Sequence, residues 1–109
     1  MNTEIKKLHQ QLIKTHKELS LRLGKTSNID EADAILREME EVNFRVMMAG
    51  RLLFKATTAK IESQIAKVLE TGADLDKALA GIEKLKDLIK MVGQFLTLAD
   101  KALDAIKLL

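Results

Sequence analysis

The last third of this chain carries an unbroken heptad pattern of apolar residues. Its members alternate in steps of three and four positions: Leu75, Ala78, Ile82, Leu85, Ile89, Val92, Leu96, Ala99, Leu103 and Ile106. This spacing keeps one side of a helix against a neighbouring helix along its whole length, as in a coiled coil. The pattern therefore predicts a long packed helix, and it carries no chemistry.

The composition agrees with a helical protein and removes several classes of function. The 109 residues include no proline, which would break a helix, and no cysteine. The lack of cysteine excludes disulfides, thiolate metal sites and cysteine nucleophiles. No apolar signal-peptide core stands near residue 1, and the longest uncharged stretch, residues 91–99, is too short to cross a bilayer. We therefore expect one soluble, cytoplasmic domain spanning residues 1–109.

Apolar periodicity and stop signals predict three helices. They cover residues 3–23, 30–70 and 74–108. Thr71 and Gly72 provide the stop between the second and third helices. Gly81 and Gly93 lie within the third helix, and since glycine weakens a helix interior, a four-helix alternative stays open. The predicted fold is all-α, an antiparallel helical bundle of one short and two long helices.

Short connections make neighbouring helices antiparallel, and this sets which residues face each other. If the chain reverses at residues 71–74, opposed positions of the second and third helices sum to about 145. Gly50 then faces Phe95, and Arg45 lies near Asp100.

The first helix is too short to cover both long helices, which leaves a hairpin tip formed by residues 53–92. Two helices alone can hide only one apolar stripe each, and contiguous exposed apolar surface usually marks an interface. The predicted interaction surface comprises Leu53, Phe54, Ile61, Ile65, Leu69, Leu79, Leu88 and Met91. We expect a second copy, or another helical protein, to cover it and complete a four-helix or larger bundle.

Residues 44–54 are apolar on nearly every side of the second helix. A helix that is apolar all round is normally buried all round, so the favoured interpretation is that the three helices meet there. The alternative is a methionine-rich surface adapted to a partner.

No arrangement of residues indicates an enzyme, and we predict neither a cofactor nor a metal. His9 and His16 are seven residues apart, which is a long spacing for two ligands of one ion, and no Glu-x-x-His motif of di-iron bundles occurs. A metal-binding bundle is therefore the least favoured alternative.

A second alternative is a nucleic-acid-binding helical protein. Four basic residues, Arg45, Arg51, Lys55 and Lys60, stand in a stretch without acidic residues. However, the net charge is only +2, and three phenylalanines are the only aromatic residues available for stacking on bases. The favoured prediction is a non-enzymatic protein–protein interaction or assembly module that acts as a homodimer.

Overall fold

Four helices, and not the three predicted, make up the described part of the chain. The computed structural model describes residues 1–81 and 83–109, and these residues contain no strand. The helices are α1 (Thr3–Leu23), α2 (Ile29–Arg51), α3 (Ala59–Ala80) and α4 (Leu85–Lys107). The all-α class and the bounds of the first helix are confirmed. The predicted helices 30–70 and 74–108 are wrong, because the chain breaks at two other places.

The first break separates α2 from α3 at residues 52–58. Thr58 adopts an extended backbone, and its side chain accepts a hydrogen bond from the Ile61 amide at 3.2 Å, which caps the start of α3. The Thr57 hydroxyl accepts a hydrogen bond from the Asn2 side chain at 3.1 Å, and the Asn2 amide donates to the Leu53 carbonyl at 2.7 Å. The connection is therefore held in place by the start of α1.

Gly72 does not end a helix as predicted, because α3 runs through it without interruption. This glycine is buried against α1. A Cβ atom at this position would lie 2.6 Å from the Gln11 side-chain carbon Cδ. The lack of a side chain thus allows close approach of α1 and α3.

The second break follows Ala80, at the first of the two glycines that left a four-helix alternative open. Arg22 of α1 donates hydrogen bonds to the carbonyls of Leu79 and Gly81, each at 3.4 Å, and to the Glu83 carbonyl at 2.8 Å. The bond to Leu79 satisfies a carbonyl group that the end of α3 leaves free, and the other two bonds hold the residues that follow the helix. The heptad is thereby divided between α3 and α4, with Ile82 outside the described residues, and α4 continues through Gly93.

Each helix packs against two others. α1 packs against α2 and α3, and α4 packs against α3 and, less extensively, against α2. α1 and α3 run in the same direction, since Thr15 meets Asp76 and, further along both helices, Arg22 meets Gly81. α2 and α3 are consecutive but share almost no contact in the described residues, so residues 52–58 cross the end of a molecule 44 Å long.

The predicted contact between Arg45 and Asp100 is confirmed, but its predicted register is wrong. Arg45 Nε lies 2.9 Å from one carboxylate oxygen of Asp100, and Nη2 lies 3.0 Å from the other. α2 and α4 run in the same direction, because each begins at the end of the molecule where α1 ends. Gly50 lies against His9 of α1, with a 3.4 Å separation between its Cβ position and His9 Nε2, and not against Phe95.

Candidate interaction surface

The eight residues predicted to form an interaction surface do not share one exposed surface. Four of them are buried in the core, namely Ile61, Ile65, Leu79 and Leu88, and three more are half-buried against it, namely Leu53, Leu69 and Met91. Only Phe54 is largely exposed, at 83%. The predicted hairpin tip does not form, because the chain reverses between the end of α3 and the start of α4, and α1 extends along α3 as far as its end.

Exposed apolar side chains are concentrated on α2 instead. Among the described residues, ten large apolar side chains are exposed, and α2 carries four of them: Ile29, Leu36, Phe44 and Met47. Neither α3 nor α4 carries one within its described helix. Phe44 is 57% exposed and Met47 is 53% exposed, so the predicted burial of residues 44–54 on every side is wrong for these two positions, as it is for Phe54.

The exposed side of α2 has its own regular spacing. Six exposed residues recur in steps of three or four positions and therefore lie along one side of the helix. They are Asp33, Leu36, Glu40, Phe44, Met47 and Arg51, and we refer to these six as the α2 face. The face is about 27 Å long at 1.5 Å per residue.

A groove between α1 and α2 borders this face and extends its apolar area. Ile13, His16, Asn43 and Val46 line the groove, which has a volume of about 220 Å³. Asn43 and Val46 are the chain neighbours of Phe44 and Met47, and Ile13 is itself exposed. The groove thus offers additional apolar contact to anything that covers the α2 face.

The inward side of α2 binds its neighbours through a narrow apolar stripe and one ion-pair network. Its buried residues recur every seven positions: Ile35, Val42 and Ala49. Arg45 bonds to both oxygens of Asp100 and, at 2.6 Å, to the Glu41 carboxylate. The hydrogen bonds with Asp100, more than any other cause, raise the pKa of Arg45. Partial burial, followed by repulsion from Glu41, raises the pKa of Glu38 on the same side.

The most buried polar cluster lies between α1 and α3. Asp76 is only 6% exposed, and its two carboxylate oxygens accept hydrogen bonds from Thr15 and Gln11, each at 2.9 Å. Burial raises the pKa of this carboxyl group despite both bonds. Because each carboxylate oxygen has a donor, the cluster fixes the packing of α1 on α3 and leaves no group directed at a ligand.

The residues of the two alternative functions lie on α1, α2, α3 and the connection at residues 52–58. Arg45 is engaged by Asp100 and Glu41, so three of the four basic residues are left exposed: Arg51, Lys55 and Lys60. His9 and His16 lie on the side of α1 that faces α2. The part of the chain that the structure describes contains no group of three or more metal-ligating side chains close enough to hold an ion.

The α2 face was not predicted from the sequence, because residues 44–54 are apolar on nearly every side and were therefore expected to be buried. The available signal was the presence of two apolar stripes on one helix, an inner one at Ile35 and Val42 and an outer one at Leu36 and Phe44. One stripe satisfies the neighbouring helices, and the second then faces solvent.

No described helix is long and apolar enough to cross a membrane.

Comparisons with known proteins give no relative from which a function could be transferred. No protein-family model matches the chain, and neither a curated protein nor a solved structure is similar enough to it to count as a match.

Proposed function

We propose that this protein is a non-enzymatic helix–helix assembly module that associates with itself through the α2 face. The observation that carries the proposal is the unequal distribution of exposed apolar side chains, which are concentrated on α2 and missing from the described helices α3 and α4. Contiguous exposed apolar surface usually marks a site of protein association. In the proposed assembly, the helices of two copies pack into one larger bundle.

The composition of α2 supports this proposal independently of its exposure. α2 carries no lysine, whereas the other three helices carry eleven of the fourteen lysines in the chain. It also carries three of the four arginines and three of the five methionines. Interfaces are depleted in lysine and enriched in arginine, methionine and aromatic residues relative to the remaining surface. α2 therefore follows this trend in lysine, arginine and methionine, but not in acidic residues, of which it carries six.

Phe44 and Met47 are the expected centre of this interface. A phenyl ring supplies a large apolar contact area, and an unbranched thioether adapts to the shape of its partner. Both side chains are already more than half exposed, so covering them requires no rearrangement of the core. Association through these residues is therefore compatible with the fold of the single chain.

Nuclear magnetic resonance at several protein concentrations tests the proposal and locates the surface. We expect amide shifts in α2 to change as the concentration rises to on the order of 1 mM, a range that captures weak association. Phe44→Ser should abolish these changes, whereas Phe54→Ser, a matched change at an exposed phenylalanine outside the α2 face, should preserve them. Amides at the outer surface of α3 and α4, such as Thr97, should not shift.

Two results would contradict the proposal. One is an absence of any concentration-dependent shift in the wild-type protein. The other is a set of shifts confined to α3 and α4, which would place self-association on the opposite side of the molecule.

A further inference from the structure

We infer that the α2 face pairs with the α2 face of a second copy in an antiparallel, two-fold arrangement that places Asp33 of each copy beside Arg51 of the other. This inference rests on the proposed function and adds the orientation and the polar contacts of the pair. Two-fold pairing is the commonest symmetry of homo-oligomers, and it requires a surface that is complementary to itself.

The charge distribution along α2 has this self-complementarity. Residues 29–41 contain six acidic side chains and one basic side chain, whereas residues 42–51 contain no acid and two arginines. Of these two, Arg51 lies on the α2 face and Arg45 is paired inward with Asp100 and Glu41. Antiparallel pairing places the acidic half of each α2 against the basic half of its partner, and parallel pairing places like charges together. Complementary charge fixes orientation because juxtaposed like charges are costly. The opposed helix dipoles act in the same direction.

Asp33 and Arg51 define the register of the pair. They are eighteen residues apart, which is five full helical turns, so they lie on the same side of α2 but about 27 Å from each other. Both side chains are exposed, and neither forms an ion pair within the described residues. They cannot contact each other within one chain, but two antiparallel copies bring them together twice.

The apolar residues fit the same register. When Asp33 lies opposite the partner's Arg51, opposed positions sum to about 84 along the two helices. Leu36 then lies beside the partner's Met47 on each side of the two-fold axis. The two Phe44 residues flank the two-fold axis with an offset of about 6 Å along the helices, and each lies opposite the partner's Glu40. One arrangement thus covers all three apolar side chains of the α2 face.

Charge reversal tests this arrangement with the full chain. Asp33→Arg should weaken self-association by roughly tenfold at low salt, and Arg51→Asp should do the same, because each change removes two ion pairs and creates two repulsive ones. The double variant, with both residues reversed, should restore the wild-type dissociation constant to within about threefold. Asp74→Arg and Lys67→Asp, at exposed positions of α3, are the matched controls and should have no effect. Sedimentation equilibrium measures all five variants, and circular dichroism checks that each is folded.

The outcomes separate this inference from the proposed function. Loss in both single variants with recovery in the double variant supports antiparallel pairing, since a contact between residues 27 Å apart on one helix can form only between copies. Unchanged single variants, or additive losses in the double variant, would overturn the inference. If the charge variants give one of these results but Phe44→Ser still abolishes self-association, the α2 face remains the interface. Only the antiparallel orientation of the two copies is then wrong. A wild-type protein that stays monomeric would overturn both, and would leave the face to a different helical partner.

Discussion

α2 and α4 have equal lengths and run side by side in the same direction, yet they use their apolar residues in opposite ways. Each helix has 23 residues, but α4 buries eight side chains and α2 buries only three. The apolar side chains of α4 point into the core, whereas Phe44 and Met47 of α2 point outward. Apolar content alone therefore does not identify core residues. In this molecule, α4 buries most of its apolar residues, whereas α2 divides its apolar residues between the core and an exposed side.

The largest expected effect comes from replacing one phenylalanine in each helix. Phe95→Ala should lower the free energy of unfolding by about 3–5 kcal/mol, because Phe95 is fully buried and its removal leaves a cavity. Phe44→Ala should change it by less than about 0.5 kcal/mol, since exposed positions contribute little to folding. Urea unfolding at low protein concentration, where association does not contribute, measures both. Equal losses in the free energy of unfolding of the two variants would show that α2 and α4 do not differ in this way.

The next effect concerns the ion pair that joins the two helices. Asp100→Asn should destabilise the protein by about 1 kcal/mol, because Arg45 loses the charge of a partner that it contacts with two nitrogens. Asp104→Asn is the control one turn further along α4. Its ion pair with Lys107 is longer, at 3.7 Å, and exposed, so its loss should cost less than about 0.5 kcal/mol. Thermal unfolding measures both variants. Equal losses of stability in Asp100→Asn and Asp104→Asn would show that Arg45 does not couple α2 to α4.

Two glycines, one in each helix, should give smaller differences in stability. Gly93→Ala in α4 should stabilise the protein by about 0.5–1 kcal/mol, because a Cβ there meets no atom within 4 Å and alanine favours the helix. Gly50→Ala in α2 should bring a smaller gain, since its Cβ would lie 3.4 Å from His9 Nε2. Thermal unfolding of both variants measures the difference. If Gly93→Ala is destabilised, the space beside α4 at this position is not open.

The smallest expected effect is a pH dependence at Glu38. Burial raises the pKa of this carboxyl group above its ordinary value of 4.5, so the folded state holds the proton more tightly than the unfolded state does. The wild-type protein should therefore lose stability relative to Glu38→Gln as the pH rises through the folded-state pKa. The difference should stay below about 0.5 kcal/mol because solvent screens this half-exposed group. A difference that grows on acidification, in urea unfolding at pH 3 to 7, would contradict the sign.

The class and the first helix were predicted from the sequence, and the break at residues 52–58 was missed for physical reasons. The second break falls at Gly81, one of the two glycines that left a four-helix alternative open. Residues 52–58 contain neither proline nor glycine, and Thr57 continues the apolar spacing of the preceding helix. The break depends on a threonine cap and on bonds from Asn2, which only the folded chain brings close. Gly72 was misread as a stop because the close approach of α1, which requires a glycine, is a tertiary feature.

The predicted interaction surface depended on the same breaks. The reversal predicted at residues 71–74 left Ile65 and Leu88 without cover, but the chain reverses between α3 and α4 instead, and both residues are buried. That an exposed apolar surface forms an interface stays a prediction, and the exposed apolar residues are concentrated on α2. Phe54 was included in the original surface, and its comparison with Phe44 therefore distinguishes the two locations.

Self-association through the α2 face is tested by sedimentation equilibrium of the wild-type chain beside Phe44→Ser and Phe54→Ser. We expect the wild-type mass to rise with concentration from 12.2 kDa toward twice that value. We expect the same rise for Phe54→Ser and a constant monomer mass for Phe44→Ser. A wild-type protein that keeps the monomer mass at concentrations on the order of 1 mM, or a Phe44→Ser variant that associates as the wild type does, would contradict self-association through this face.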